Sequence, residues 1–169
     1  MTGYEIRPLG ADDPAVMAAA FAALGWDKPV TQYERYLTEQ RAGTRSVLVA
    51  TVDGRFAGYV TVRWESGYPP FGGIPEIQDF TVLPDFRRRG IGGGLMDAAE
   101  ALAAERSAVV GIGVGLYADY GTAQRMYVRR GYLPDGRGIM YDGRPVPPGT
   151  SVPIDDEATL MFTKHLRPA

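Results

Sequence analysis

The segment Val82–Glu105, VLPDFRRRGIGGGLMDAAEALAAE, leads into a helix through a start that has few side chains. Four glycines stand in five positions ahead of a helix-favouring run of leucine, methionine and alanine: Gly90, Gly92, Gly93 and Gly94. Each glycine in a helix interior costs about 1 kcal/mol relative to alanine. Helix stability therefore does not explain these residues, and we infer that a partner must approach this backbone closely.

A helix N-terminus attracts anions, because its first N–H groups lack intrahelical partners and it carries about half a positive charge. Glycines let phosphate oxygens come close to those N–H groups. Three arginines, Arg87, Arg88 and Arg89, stand directly upstream and offer forked donors. The segment therefore predicts a pyrophosphate site; the alternative is a solvated arginine run beside a flexible loop.

Two common phosphate-binding patterns do not fit the segment. A Walker loop requires Gly-Lys-Ser/Thr, and the chain's two lysines, Lys28 and Lys164, are far away. The dinucleotide fingerprint requires a glycine at position 95, which is Leu95. Binding of nucleotide phosphates by another fold remains an alternative interpretation.

Composition limits the chemistry that the chain can perform. With 169 residues, 45% of them hydrophobic and 22% charged, we expect one domain over residues 1–169. The absence of cysteine excludes disulfides, thiol nucleophiles and thiolate metal sites. With His165 as the single histidine, we expect no metal site and no catalytic triad.

Charge and hydropathy favour a chain that works in the cytoplasm. No apolar run approaches the ~20 residues that span a bilayer, and the first residues do not resemble a signal peptide. A formal net charge of −2 argues against nucleic-acid binding. We therefore expect a cytoplasmic protein with neither a membrane nor a nucleic-acid partner.

The elements follow the order strand, two helices, hairpin, then strand–helix–strand–helix–strand. Asp13 before Pro14 predicts an N-cap, Thr31–Glu34 predicts a capping box, and Asp53-Gly54 predicts a two-residue hairpin turn. The loop 66–75 is rich in proline, glycine and aromatic residues, which is typical of a binding loop. The strand 109–116 has glycine at every second position, so one face admits a helix or ligand.

Two further patterns carry a resemblance to a known family. Val82, Pro84, Phe86 and Arg87, with Gly90 and Gly92, match V-x-P-x-[FY]-R followed by Arg/Gln-x-x-Gly-x-Gly/Ala. The segment 123–132, AQRMYVRRGY, matches Ala-x-x-x-Tyr-x-x-x-Gly-[FY]. In this order the two patterns resemble the acetyl-CoA signature of the GNAT superfamily of N-acetyltransferases.

The resemblance implies an α+β fold with a mixed, mostly antiparallel sheet of six to seven strands and about four helices. The fourth and fifth strands would splay apart, with pantetheine in the gap. Backbone groups of Phe80, Thr81 and Val82 would then pair with its amides, and the arginine–glycine segment would hold the pyrophosphate. The expected acetyl-CoA-binding residues are Phe80, Thr81, Val82, Arg87, Arg88, Arg89, Gly90, Ile91, Gly92, Gly93, Gly94, Ala123 and Tyr127.

The chemistry requires a base, because an amine with a pKa near 10.4 reaches the thioester protonated. Glu76 stands where histone acetyltransferases of the superfamily carry their glutamate base, and Asp79 matches an acidic position common in the family. A regular strand would place these two on opposite faces unless a bulge intervenes; Glu76 is favoured. Tyr127 resembles the family's general acid, although its spacing also suits a core residue.

The chain departs from the family at Tyr120, where many relatives have an asparagine that caps the helix; Asp119 and Thr122 are the alternative candidates for this cap. Trp26, Trp64, Tyr68 and Phe71 are candidates for the acceptor pocket or for packing, and His165 is expected at the surface.

The leading interpretation is an acetyl-CoA-dependent N-acetyltransferase in which an amine acceptor, a small molecule or a peptide, attacks directly in a ternary complex. A catalytically inactive CoA-binding module is the alternative. The acceptor is not specified by any pattern in the loops. Homodimers are common in the family, and no pattern in this chain supports one.

Overall fold

A computed structural model describes residues 3–167. These residues form two compact units. The first runs through Trp64 and resumes over Gln78–Leu102, and the second comprises Glu65–Ile77 and the chain from Ala103 onward. The division falls within a strand and a helix. The expectation of one domain therefore stays a prediction.

The first unit contains three strands, the second half of a fourth, and three helices. Its strands are β1 (Tyr4–Pro8), β2 (Arg45–Val52), β3 (Arg55–Arg63) and residues from Gln78 onward of β4 (Glu76–Val82). Its helices are α1 (Asp13–Ala23), α2 (Val30–Arg41) and α3 (Ile91–Ala104) up to Leu102, with a 3₁₀ turn at Pro84–Phe86.

The second unit contains the start of β4, four further strands and one α-helix. They are β5 (Val109–Gly115), α4 (Gly121–Arg129), β6 (Leu133–Tyr141), β7 (Arg144–Pro145) and β8 (Ala158–His165). Two 3₁₀ turns, Pro69–Phe71 and Ala118–Tyr120, complete it.

Hydrogen-bonded neighbours give the strand order β1-β2-β3-β4-β5-β8-β6-β7. β4 and β5 are parallel, with Glu76 opposite Gly111 and Ile77 opposite Ile112. The other registers described are antiparallel. The predicted mixed, mostly antiparallel sheet with four helices is confirmed. It has eight strands rather than six or seven, because two residues of the proline-rich segment expected as a loop form β7.

Local signals placed several elements correctly. The turn between β2 and β3 has positive φ at both Asp53 (49°) and Gly54 (74°), as a type I′ hairpin requires. β4 covers the seven residues Glu76–Val82, as predicted. No helix within residues 3–167 has the length and apolar character needed to cross a bilayer.

Both predicted helix caps were wrong. Asp13 is the first residue of α1 rather than its N-cap, and its carboxylate accepts hydrogen bonds from Arg7 and from the Gly10 N–H. α2 begins at Val30 with Pro29 as N-cap and no capping side-chain bond, so Thr31 lies inside the helix. In α1, the Arg7 guanidinium binds the Asp13 carboxylate, which was the side chain expected to cap the helix.

An aromatic cluster fills the core of the first unit. Phe21 on α1 contacts the rings of Trp26, Tyr33, Phe56 and Tyr59 at centroid distances of 5.7–6.1 Å. Trp26 therefore packs here rather than at an acceptor pocket, and Trp64 donates through Nε1 to Ser46 Oγ at 3.1 Å. Burial raises the pKa of Tyr33 and that of Tyr36 to about 12.

The side-chain-free face of β5 is covered by side chains of its own unit. A Cβ at Gly111 would clash with the Phe71 ring, one at Gly113 would lie 2.8 Å from Met161 Sδ, and one at Gly115 would clash with Tyr120. The expectation that a helix or ligand approaches this face was wrong at these positions, because large side chains from a loop, a strand and a 3₁₀ turn use the space.

We expect the protein to lose stability above about pH 10. A tyrosine whose pKa rises on folding contributes stability that is complete below its unfolded pKa near 10 and is lost as pH rises toward the folded value near 12. Between these values the free energy of unfolding should fall by about 1.4 kcal/mol per pH unit for each such group. Urea denaturation across this range should show a shallower decline in Tyr33→Phe, and equal slopes would contradict the assignment.

Candidate active site

The turn before α3 is held by two of its arginines. Arg87 Nε donates to the Val82 carbonyl at 3.0 Å, which ties the turn back to the end of β4. The guanidinium carbons of Arg55 and Arg89 each lie 5.4 Å from the centroid of the buried Phe86 ring. All three arginines of the turn are exposed at the helix start. The predicted concentration of positive charge at this N-terminus is therefore present.

The glycines of this segment serve different purposes. Gly90 has φ of 80°, which suits the turn into α3. A Cβ at Gly94 would clash with the Tyr4 ring, so this glycine makes room for β1. A Cβ at Gly93 would have no neighbour within 4 Å and would point into open space. The surface of α3 is thus open at Gly93, whereas Gly94 is covered by Tyr4.

The end of β4 lies unusually close to β3. A Cβ at Gly58 would lie 2.6 Å from the Thr81 carbonyl oxygen and 3.1 Å from Val82 Cα. The Leu83 N–H also donates to the Ala57 carbonyl at 2.8 Å. The predicted pantetheine-pairing residues Phe80, Thr81 and Val82 are partly exposed on this supported segment. Sequence analysis missed Gly58, since a glycine inside a hairpin strand gives no signal of its partner.

Asp79 interrupts the regular alternation of β4. Its φ is 51°, a left-handed conformation that is rare for a non-glycine residue. The exposed carboxylate accepts a hydrogen bond from the Tyr36 hydroxyl of α2. After desolvation by burial, the Asp79 charge is the largest cause of the raised pKa of Tyr36. A bulge between Glu76 and Asp79 was one of the expected possibilities, and the residue with irregular backbone geometry is Asp79 itself.

A buried arginine supports Tyr36 and the residue before Asp79. Arg45 Nε pairs with Glu39 at 2.5 Å, and its Nη1 donates to Thr61 Oγ1 at 2.8 Å and to Gln78 Oε1 at 3.2 Å. Its guanidinium carbon lies 4.4 Å from the centroid of the Tyr36 ring. Arg45 and Tyr36 were not predicted, because neither belongs to a recognisable pattern.

In the second unit, Glu76 is buried, with 7% of its surface exposed. Ser66 Oγ donates to Glu76 Oε2 and accepts from the Tyr68 N–H at 3.0 Å. Ser66 therefore orients the carboxylate from the loop that was expected to bind. Asp79, the other candidate base, belongs to the first unit, where the Tyr36 hydroxyl is its hydrogen-bond partner.

Tyr127 lies on α4, one helical turn after the partly exposed Ala123, and is 5% exposed. Its ring centroid lies 5.8 Å from that of Tyr132. Burial raises the pKa of Tyr127, so its hydroxyl keeps its proton at neutral pH. The residue is thus a packed side chain that also carries a proton to donate.

Tyr120 stands where the family resemblance predicts a capping asparagine, but its side chain does not cap the helix. It is the N-cap residue of α4 and makes no capping hydrogen bond through its side chain. Its hydroxyl donates to Asp156 at 2.8 Å, and its ring occupies the space over Gly115. Gln124 Nε2 donates to the Gly115 carbonyl at 2.8 Å, which ties α4 to the end of β5. Within the described chain, no three His, Asp or Glu side chains gather as a metal-ligating group.

Comparison with known proteins agrees with the fold. The acetyltransferase (GNAT) family profile matches residues 15–132. The chain therefore belongs to the GNAT acetyltransferase family. A search of the curated proteins finds no significant match.

Solved structures with this fold share little sequence with the chain. The yncA protein of Salmonella typhimurium, solved with its cofactor acetyl-CoA, is 18% identical with a TM-score of 0.69, covering 97% of this chain and 94% of that one. The ribosomal-protein-alanine N-acetyltransferase of Brucella melitensis is 18% identical with a TM-score of 0.71, covering 96% and 99%. A GNAT-family acetyltransferase of Streptococcus pneumoniae is 15% identical with a TM-score of 0.70, covering 98% and 100%.

Alanine at Gly93 and at Gly94 should change stability in opposite directions. Gly94→Ala inserts a methyl group against Tyr4 and should lower the free energy of unfolding by about 1–3 kcal/mol. Gly93→Ala meets open space and should raise it by up to ~1 kcal/mol through helix propensity. Chemical denaturation of both variants measures this. Equal effects would show that the two glycines are not distinguished by packing.

Proposed function

We propose that this protein is an N-acetyltransferase that moves the acetyl group of acetyl-CoA to an amine acceptor by direct attack in a ternary complex. The observation that carries the proposal is the start of α3, where exposed arginines and the open Gly93 lie beside the N–H groups of the first helical turn. Such a start suits a pyrophosphate. The chain also belongs to the GNAT family. When bound, acetyl-CoA supplies a thioester-activated acetyl group.

Residues of the first unit would hold the coenzyme. N–H groups of Ile91, Gly92 and Gly93 would bind the pyrophosphate, with Arg87, Arg88 and Arg89 adding positive charge. The N–H group of Gly94, the fourth predicted residue, donates to the Gly90 carbonyl at 3.0 Å and closes the first helical turn. Because the Ile91 side chain is buried, this residue would contribute through its backbone. Backbone groups of Phe80, Thr81 and Val82 would pair with the pantetheine amides. Ala123 and Tyr127, which belong to the second unit, stay predictions from the family pattern.

Glu76 would remove the proton of the acceptor ammonium, directly or through water. The hydrogen bond from Ser66 fixes its carboxylate, and orientation is what a general base requires first. Asp79 is the competing candidate, supported by its exposure and by the hydrogen bond from Tyr36. Tyr127 would donate its retained proton to the leaving thiolate.

The burial of Glu76 and Tyr127 favours a second candidate, a CoA-binding protein without transferase activity. In such a protein both side chains would contribute only to packing. Measured acetyl transfer separates the two candidates, because only the first turns over.

Coenzyme binding should depend on the open space at Gly93. Gly93→Ala would place a methyl group where the phosphate must approach, so we expect at least tenfold weaker CoA binding by calorimetry although this variant is the more stable protein. Affinity should also fall with ionic strength. Arg88→Gln should also bind CoA more weakly than the parent. Its matched control is Arg41→Gln, which removes an exposed arginine on α2 and should bind CoA like the parent. If Gly93→Ala binds CoA as tightly as the parent does, the predicted phosphate site is wrong.

Acetyl transfer should depend on the proposed acid and base. A panel of amines with acetyl-CoA, followed by thiol release, should show kcat lowered about 100-fold or more in Glu76→Gln and clearly lowered in Tyr127→Phe. Asp79→Asn tests the competing base, and Glu105→Gln is an exposed-carboxylate control. Full activity in both Glu76→Gln and Tyr127→Phe would refute the catalytic assignment.

A further inference from the structure

The second unit contains a cavity that the proposed chemistry does not use. It measures about 700 Å³, within the range of small-molecule sites. Its apolar wall comes from the loop before β4 and the start of β6, and its polar wall comes from β6 and the end of β8. Sequence analysis placed one of its residues, His165, merely at the surface.

The lining of this cavity is positively charged. The lining includes three basic residues and one histidine but a single acid, although the whole chain has a net charge of −2. The basic residues are Arg137, Lys164 and Arg167, and the acid is Asp135. Lys164 Nζ lies 5.5 Å from the centroid of the Tyr132 ring, which leaves the two arginines as the cations to test.

The acid is already engaged. The Asp135 side chain is 7% exposed; its Oδ2 accepts from the Tyr68 hydroxyl at 2.8 Å, and its Oδ1 accepts from the Arg137 N–H at 2.9 Å. The Arg137 side chain remains 58% exposed, with Nε 3.9 Å from Asp135 Oδ2. Asp135 therefore fixes the local backbone, while the guanidinium stays available to a ligand.

The backbone of β6 is shaped to present Arg137. The register between β6 and β8 shifts between Pro134 and Ile139, so residues 135–138 bulge from the sheet. Gly136 and Gly138, on either side of Arg137, have φ of 81° and 75°. A β-bulge commonly redirects a side chain beside a functional site.

The cavity lies on the same face of the sheet as Glu76. Glu76 pairs with Gly111, Gly111 pairs with Thr163, and Thr163 pairs with Leu133, so these residues form one row across four strands. Directly paired residues share a face, and adjacent strands are about 4.8 Å apart, which puts Thr163 about 10 Å from Glu76. Thr163, Leu133 and Phe71 line the cavity, and the Phe71 ring lies against Gly111, the residue paired with Glu76.

We propose that this cavity binds the anionic group of the acceptor, a carboxylate or phosphate attached to an apolar body. Arg137 and Arg167 would hold the anion through charge-assisted hydrogen bonds. The apolar wall, formed by Pro70, Phe71, Leu133 and Pro134, would contact the body. The binding site stands on the cavity alone, whereas its assignment to the acceptor rests on the proposed function and on the row that leads to Glu76.

Calorimetry on the full chain tests the site without any acetyl transfer. Benzoate and inorganic phosphate serve as anionic probes, and benzyl alcohol is the neutral match. We expect benzoate to bind at least tenfold more tightly than benzyl alcohol, and Arg137→Gln and Arg167→Gln each to weaken benzoate binding at least tenfold. Arg129→Gln, an exposed arginine on α4, should bind like the parent. If neither benzoate nor inorganic phosphate binds, or if the parent and all arginine variants bind benzoate equally, the proposed anion site is wrong.

Kinetics test the assignment to the acceptor. Aminocarboxylates of increasing chain length are compared with their amides as acceptors. Arg137→Gln should raise KM about tenfold for the carboxylates that reach the cavity, with kcat retained and the amides unaffected. Equal KM values in parent and variant would overturn the assignment to the acceptor. If benzoate binds as expected but no amine is acetylated, the proposed function fails while the anion site stands.

Discussion

The contact between the Phe71 ring and Gly111 organises the second unit. Because position 111 has no side chain, an aromatic ring from the loop before β4 rests directly on β5. Tyr68, in edge contact with Phe71 at a centroid distance of 4.8 Å, joins it in a buried cluster with Met140 and Met161. The same loop supplies Ser66, which holds Glu76. One packing contact thus supports both the candidate base and the wall of the basic cavity.

In the first unit, a buried network of charged and polar groups lies beside the apolar and aromatic core. Arg45 is buried, yet Glu39, Thr61 and Gln78 satisfy its donors and the Tyr36 ring covers its face. A buried cation is costly unless it is paired in this way. Its position links α2 to β4 just before the left-handed Asp79, so the network fixes the place where the strand departs from regular geometry.

Features that depend on neighbouring residues in sequence were predictable. The Asp53-Gly54 turn and the limits of β4 follow from local patterns, and the arginine–glycine segment pointed to the family. The sequence also drew attention to Tyr68 and Phe71. Helix caps were less predictable, because a capping side chain can be captured by a group distant in sequence, as Arg7 captures Asp13.

Features that depend on strand register could not be predicted. The basic cavity combines a loop, a bulge in β6 and the end of β8, and no single segment carries its signature. Gly94 was predicted to bind phosphate, and the structure shows a second reason for a glycine there, because the ring of Tyr4, 90 positions earlier in the chain, fills the space that a Cβ would need. A glycine pattern indicates that a neighbour lies close to the backbone, but the strand register and the packing are needed to identify that neighbour.

The fit of Phe71 onto Gly111 also has an evolutionary consequence. A side chain at position 111 and an aromatic ring at position 71 exclude each other, so neither residue can change alone without displacing the loop. Lineages in which position 111 acquires a side chain should carry a small residue at position 71. The two sites should therefore covary, and the loop that they join should diverge as a unit.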